Sequence, residues 1–263
     1  MAVNKITPKI SVNVIARNEE ADIADCLKSA RLLADEVVFV DMESADRTKK
    51  IAQELADKIY SHPQTGYVEP ARNFGIEKCT GDWVFILDAD ERITPELAGL
   101  LQEKILQVDS GVGAMAVARK NINFGFWLKR GGWWPDYQVR FIRKKSFLDW
   151  PKEIHSFPKV EGEIINIDTP FVHLAIKDIE EMLERTIRYS EKEANLLFAA
   201  GRKTSVFLMI KRMLGEFWRR GIKGQGLLDG PAGMVQVIYQ TFSVFITQAR
   251  LWEKQIKEGK DDQ

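Results

Sequence analysis

The chain has 263 residues, 45% of them hydrophobic, which suffices for one large core or a core with a small appendage. Lys plus Arg equals Asp plus Glu at 38 each, so the overall charge excludes a general nucleic-acid binder. Cys26 and Cys79 lack metal-site spacing and read as reduced core thiols, which fits a cytoplasmic protein.

The polar stretch Met1 to Lys9 shows no signal-peptide pattern, and no window reaches the roughly 18 apolar residues of a spanning helix. Ile10 to Ile15 reads as the first strand, followed by the polar turn Arg17-Asn18-Glu19-Glu20. Ile23 to Leu33 predicts a helix with Ile23, Leu27 and Ala30 on one face. Glu36 to Val40 is a second strand, ending in Asp41. A helix lies within Ser44 to Leu55, a short strand at Lys58 to Ser61, and another helix at Pro70 to Glu77. Trp83 to Leu87 is a buried strand running into Asp88-Ala89-Asp90-Glu91. Thr94-Pro95-Glu96 starts a helix, with Thr as cap and Pro at the first position, that continues to about Val108. Strands of continuous apolar character alternating with helices predict an α/β fold over residues 10–108: a mostly parallel sheet covered on both faces. Ala114 to Ala118 adds a further central strand.

The character then changes. Residues 119–147 hold eight Lys and Arg against one acid, Asp136, interleaved with Phe124, Phe126, Trp127, Trp133, Trp134 and Tyr137. This reads as a long loop and then a strand at Gln138 to Ile142. Two more strands are expected at Gly162 to Ile167 and Pro170 to Leu174, and a long helix at Ile179 to Ala199. From Arg202 to about Lys257 the pattern is helical, broken at Gly221 to Gly233. Val206, Ile210, Met213, Leu214 and Phe217 form an apolar stripe flanked by Lys211, Arg212, Arg219, Arg220 and Lys223, with Glu216 the sole acid. Two readings stand: a helix lying on an anionic membrane surface, or one packed on the main domain with a solvated basic face. Phe242, Phe245 and Ile246 extend that surface or pair two subunits of a homo-oligomer.

Asp88 and Asp90 stand at the carboxyl end of a strand, where open α/β sheets bind ligands. Carboxylates there suit a divalent metal that also holds phosphate oxygens, hence an enzyme that handles a nucleotide diphosphate; the plainer reading is a helix-capping turn. Asp41 occupies the matching place one strand earlier, suited to a uracil or ribose, with Ser44 or Asp46 alternatively capping the next helix. Ala16, Arg17 and Asn18 end the first strand beside it. Arg72 offers a planar fork to a phosphate, or pairs with Glu69 or Asp88. His173 is a third metal ligand or a satisfied polar residue at a strand end, and the same choice holds for His155. Asp136 takes a proton from an acceptor hydroxyl or pairs with Arg140. Arg140 and Arg143 lie on opposite faces of one strand, so they cannot both face the site.

The segments Val14-Ile15-Ala16-Arg17-Asn18-Glu19-Glu20, Val40-Asp41-Met42-Glu43-Ser44-Ala45-Asp46-Arg47-Thr48, Ala71-Arg72-Asn73-Phe74-Gly75 and Asp88-Ala89-Asp90-Glu91, in this order and spacing, resemble a family 2 glycosyltransferase of GT-A fold. Gly132-Trp133-Trp134-Pro135-Asp136, Val139-Arg140-Phe141-Ile142-Arg143-Lys144, Ile154-His155 and Val172-His173-Leu174 are similar to the lipopolysaccharide core β-1,4-glucosyltransferase subgroup, with Ser156 where that subgroup has an acid. The resemblance implies a GT-A, Rossmann-like sheet with a helical C-terminal extension, divided into a catalytic domain over residues 1–200 and the extension over 201–263. It implies inverting transfer of a hexose, glucose above others, from a UDP-sugar to a lipopolysaccharide-core or lipid-linked glycan at the inner membrane surface. Ala16, Arg17, Asn18, Glu19, Asp41, Arg72, Asp88 and Ala89 would bind the nucleotide, and Asp90 with His173 would hold Mg²⁺ or Mn²⁺. Asp136 would be the base, and Arg140 would help stabilise the departing UDP. Two rival readings are a nucleotidyltransferase acting on sugar phosphates and a non-catalytic membrane-associated scaffold. The first would show a glycine-rich loop, yet Ile15 to Glu20 holds no glycine; the intact acids argue against the second.

Overall fold

The computed structural model describes residues 7–153 and 156–261, so His155 lies outside the described residues. The chain forms two compact units. One comprises residues up to Lys120 together with Asp136–His173; the other comprises Asn121–Pro135 and Leu174 onward.

The first unit is a sheet wrapped by helices. Its strands and helices alternate at first: β1 (Ile10–Ala16), α1 (Ile23–Ala30), β2 (Glu36–Asp41), α2 (Thr48–Leu55), β3 (Lys58–Ser61), α3 (Glu69–Lys78) and β4 (Trp83–Asp88). The two-residue strand β5 (Glu91–Arg92) and α4 (Pro95–Gln107) follow. Thr94 caps α4 as expected, its side chain accepting from the Leu97 N–H. Next come β6 (Val112–Asn123), β7 (Phe126–Trp127), β8 (Tyr137–Arg143), β9 (Phe147–Asp149), β10 (Lys159–Val160) and β11 (Glu163–Ile176). The sheet order is β3-β2-β1-β4-β8-β6-β11-β5, with β7 paired to β6 and a separate β9–β10 ribbon. Strands β3 to β4 in that order run parallel, whereas β8 joins β4 and β6 antiparallel and β5 joins β11 antiparallel.

Alternate residues of each strand supply the two faces. Val12, Val14, Phe39, Phe85, Leu87 and Phe141 meet Ile23 and Leu27 of α1 and Leu97 and Leu101 of α4 in one apolar cluster. On the opposite face Val38, Val84, Ile86 and Ile142 pack with Ile76 of α3 and with Trp150. Both Cys26 and Cys79 are buried free thiols, as expected. Burial pushes both up, Cys79 to about 12, so neither is a thiolate near neutrality.

The long stretch after β6 departs from the expected pattern. Residues 119–123, expected in the loop, continue β6 to Asn123, and the turn that follows puts Phe124 at φ 53° and Gly125 at φ 80°. The two strands expected around Thr169-Pro170 are one strand, β11. β5 pairs with β11 only at Val172 and His173, so that ladder needs no N–H from residue 170.

In the second unit β7 pairs with the end of β6, Ile122 opposite Trp127. Its helices are α5 (Ile179–Ala199), α6 (Val206–Phe217) and α7 (Gly230–Asp261), with a wide π turn at Trp218–Lys223 and a 3-10 turn at Gly226–Asp229 between the last two. This is the expected helical C-terminal extension, broken where the glycines cluster. Among the described residues no helix is long and apolar enough to cross a membrane.

Candidate active site

Parallel register brings three strand ends to one rim. Ala16 lies opposite Asp41, and Ile15 lies opposite Asp88. The loops that leave β1 and β2 are tied together. The Asn18 N–H donates to Ser44 Oγ (3.1 Å), the Ala45 N–H to Asn18 Oδ1 (2.8 Å), and the Glu19 N–H to Thr48 Oγ1 (2.7 Å). The Glu20 N–H donates to Asp46 Oδ2 (3.1 Å), and the Arg47 N–H returns to Glu20 Oε2 (3.0 Å). Asn18 and Glu43 hold left-handed backbone at φ 55° and 57°, which turns the chain back at each strand end. Asp46 also accepts from the Thr48 N–H at the start of α2 (2.9 Å), as the capping reading of that residue expects. Ala16 and Asp41 are buried, Asp41 accepting from the Ser44 N–H (3.3 Å), while Arg17 is exposed.

Asp88 is the centre of a buried charge network. Arg72 Nη2 donates to both its oxygens, at 2.9 and 3.2 Å. Arg140 Nη2 donates to Asp88 Oδ2 and to Glu91 Oε1, each at 2.6 Å. Glu91, 1% exposed, also accepts from the Asp88 N–H (3.0 Å). The Arg72 guanidinium lies 4.7 Å over the Trp150 ring, and the Arg140 guanidinium 6.0 Å over the Phe171 ring. Burial alone would raise the Asp88 carboxyl; the guanidiniums of Arg140 and Arg72 outweigh it and hold the group well below the ordinary carboxylate range. Burial pushes the Glu91 carboxyl up, against the pull of Arg140. Arg72 thus takes the ion-pair course rather than reaching outward, and Arg143 turns away to the Val112 carbonyl, as the strand alternation requires.

Asp90 and His173 meet at the same rim, His173 Nε2 standing 3.4 Å from Asp90 Oδ2. The β5–β11 ladder causes this, since it sets His173 opposite Glu91, the residue after Asp90. Their side chains are 28% and 14% exposed, so both reach solvent. Among the described residues no three metal-ligating side chains cluster. The pair offers one oxygen and one nitrogen donor, which suits an ion whose other ligands are substrate phosphate oxygens and water. Ala89 between the aspartates is buried in the core.

Asp136, just ahead of β8, pairs with Arg119, whose Nε donates to Oδ2 (2.8 Å), and Gln138 Nε2 donates to Oδ1 (2.7 Å). Sequence reasoning did not name Glu91, Arg119 or Gln138 as partners. Glu91 carries a local signal, standing three residues after Asp88 in the turn; Arg119 carries none, because only the β6–β8 ladder brings it to Asp136.

The profile described as Glycosyl transferase family 2 matches residues 11–158, more than half of the chain. The chain belongs to glycosyl transferase family 2. Of the site residues expected from the sequence, His173 alone falls beyond the matched segment. An uncharacterized glycosyltransferase of Rickettsia typhi is 28% identical over 260 residues, covering 95% of this chain and 88% of that protein. A lipopolysaccharide core biosynthesis glycosyltransferase of Rhizobium meliloti is 27% identical over 261 residues, covering 93% and 92%. A mannosyltransferase from Pyrobaculum calidifontis, solved with GDP-mannose and Mn²⁺, aligns with 98% of this chain and 89% of its own at TM-score 0.52 and 18% identity. That likeness is one of fold and runs over nearly the whole chain.

Proposed function

We propose that this family 2 enzyme transfers a hexose, with inversion, from a UDP-sugar to a lipopolysaccharide-core or lipid-linked glycan. The observation that carries the reading is the division of labour at the acidic rim. Asp88 is neutralised by two arginines, whereas Asp90 faces His173. The Asp90–His173 pair would hold Mg²⁺ or Mn²⁺. When bound, the ion supplies positive charge against the leaving diphosphate. The core-glycan acceptor rests on the likeness to the Rhizobium meliloti protein, which spans nearly the whole of both chains.

The roles of this chain's own residues follow. The stapled loops bearing Ala16, Arg17, Asn18 and Glu19, with Asp41, receive the nucleoside. Arg72 and Arg140 fix Asp88 as a charged acceptor that hydrogen-bonds ribose, so Arg140 acts through Asp88. Asp136 accepts the acceptor's hydroxyl proton as that oxygen bonds to the anomeric carbon; the bond from that carbon to the diphosphate oxygen breaks, and its electron pair leaves with UDP. Single displacement on the opposite face inverts the centre. To receive the proton Asp136 sheds the bond from the uncharged Gln138 amide before the ion pair with Arg119, in which both partners carry charge. Residues 1–200 form the catalytic part in this reading and 201–263 the extension.

Thermal unfolding with UDP, with and without MnCl₂, tests the ion assignment. UDP with Mn²⁺ stabilises the wild type more than UDP alone, and Asp90→Asn removes that increment while keeping the UDP-only shift. An unchanged increment in the variant refutes the assignment. Release of UDP from UDP-glucose on addition of a core-oligosaccharide acceptor tests the reaction; no release with any hexose donor refutes it.

A further inference from the structure

The helical unit buries polar side chains among its apolar ones. Polar pairs run along its inner seam. Thr186 Oγ1 donates to Tyr239 Oη (2.7 Å), which donates on to the Met182 carbonyl (2.9 Å). Thr204 Oγ1 donates to Gln248 Oε1 (2.9 Å), and Thr247 Oγ1 to Glu193 Oε2 (3.1 Å). Its outside carries many apolar side chains. Among the described residues, five exposed large hydrophobic side chains lie in the sheet unit and eighteen in the helical unit. Singly scattered apolar residues are normal on a protein surface; aligned ones mark an interaction face.

On α6 they align. Phe207 (73% exposed), Ile210 (51%) and Leu214 (63%), with Trp218 (62%) just after the helix, recur at steps of three, four and four, so they form one outward stripe. The sequence pattern expected Met213 and Phe217 in that stripe, but both are half-buried and the outward face is the neighbouring one. Exposed Lys203, Lys211, Arg219 and Lys223 flank it. Glu216, the one acid between Arg202 and Lys223, is already paired with Arg219 and Arg220. Met234, Ile238 and Phe242 make a second exposed stripe on α7 at steps of four.

We propose that this face docks on an anionic lipid surface, with α6 lying in the headgroup plane. An aromatic-rich apolar stripe bordered by cations matches that environment: the rings enter the acyl boundary and the basic ends meet lipid phosphates. Tryptophan is favoured at such interfaces. A second copy of the chain fits less well, because a two-fold contact through the stripe sets basic flank against basic flank. The inference stands apart from the donor and acceptor reading.

Sedimentation of the full chain with vesicles tests it. One set is phosphatidylcholine, the other phosphatidylcholine with about one-quarter phosphatidylglycerol. The protein pellets with the anionic set at low salt, and raised salt weakens the binding. Phe207→Ser, Leu214→Ser and Trp218→Ser together lower the affinity at least about tenfold; all three side chains are mostly exposed, so the fold does not rest on them. The UDP and Mn²⁺ thermal shift of that triple variant stays at the wild-type value, which shows a folded nucleotide site. Lys211→Glu with Lys223→Glu weakens binding to anionic vesicles alone. Absence of vesicle binding, equal binding to neutral vesicles, or unchanged binding of the triple variant overturns the proposal. So does a wild-type dimer that the triple variant dissociates, which would make a second copy the occupant.

Discussion

Arg140→Met tests whether the buried network holds the acidic rim together. The guanidinium lies 2.6 Å from both Asp88 and Glu91. Arg72 stays with Asp88 in the variant, so the stranded group is Glu91, which is 1% exposed. Removing one partner of a buried ion pair costs about 3–5 kcal/mol. Methionine refills much of the volume and Glu91 can take up a proton, so the lower end, about 3 kcal/mol at pH 8, is expected. The pH dependence follows from Glu91. Burial already holds its carboxyl above the ordinary value of 4.5 with Arg140 beside it, and loss of that cation raises it further. A carboxyl raised in the folded state binds more protons there than in the unfolded chain, so stability falls as pH rises through the folded pKa. The deficit of the variant therefore grows between pH 5.5 and pH 8. Native-state hydrogen exchange of the β4 amides reads the opening free energy directly, without requiring the two units to unfold together. Arg140→Met with Glu91→Gln recovers stability at pH 8 and flattens the pH profile. A cost below about 1 kcal/mol at both pH values, or one that does not change with pH, refutes the reasoning.

Glu36→Gln probes the far end of the same sheet. Burial would raise the Glu36 carboxyl, but hydrogen bonds from Lys58, Ser11 and Thr80 lower it from 4.5 to about 2. A depressed carboxylate stabilises above 4.5 and loses that contribution as pH falls towards 2, so the variant is weaker by about 2 kcal/mol at pH 7 after solvent screening is allowed for, and equal to wild type near pH 2; urea titrations at both pH values decide. Gly113→Ala places a Cβ 1.9 Å from the Glu161 carbonyl oxygen, and backbone cannot swing aside. A loss of about 1–3 kcal/mol in urea is expected, and an unchanged midpoint would show that this approach yields easily. Asp136→Asn folds and binds UDP with Mn²⁺ as wild type does, while transfer drops about 10²–10⁴-fold; near-normal transfer removes Asp136 as base.

The alternating core was legible because its signals are local. Continuous apolar runs marked β1, β2 and β4, and Thr94-Pro95 marked the start of α4. The ends of those strands, with Asp41, Asp88 and Asp90, were legible for the same reason. What joins them was not. Arg140 and Glu91 are 49 positions apart, and Arg119 meets Asp136 across 17. Arg119 is brought to Asp136 by antiparallel register, which a period-2 pattern leaves open, and Glu91 reaches Arg140 from just after the turn that ends β4 although their strands are not neighbours. Two strands were expected where β11 runs unbroken; Pro170 lies outside the short β5 ladder, so no bond there is lost to its missing N–H. Periodicity placed a stripe on α6 but not which of two adjacent faces turns outward, since that depends on the helices beside it.

The interlocked loops after β1 and β2 have a mechanical consequence. Each borrows the other's side chains to satisfy its own main-chain donors, so neither keeps its shape alone. They behave as a single jaw rather than two fingers. Whatever presses on one strand end is felt at once at its neighbour, with no relay through the layers beneath.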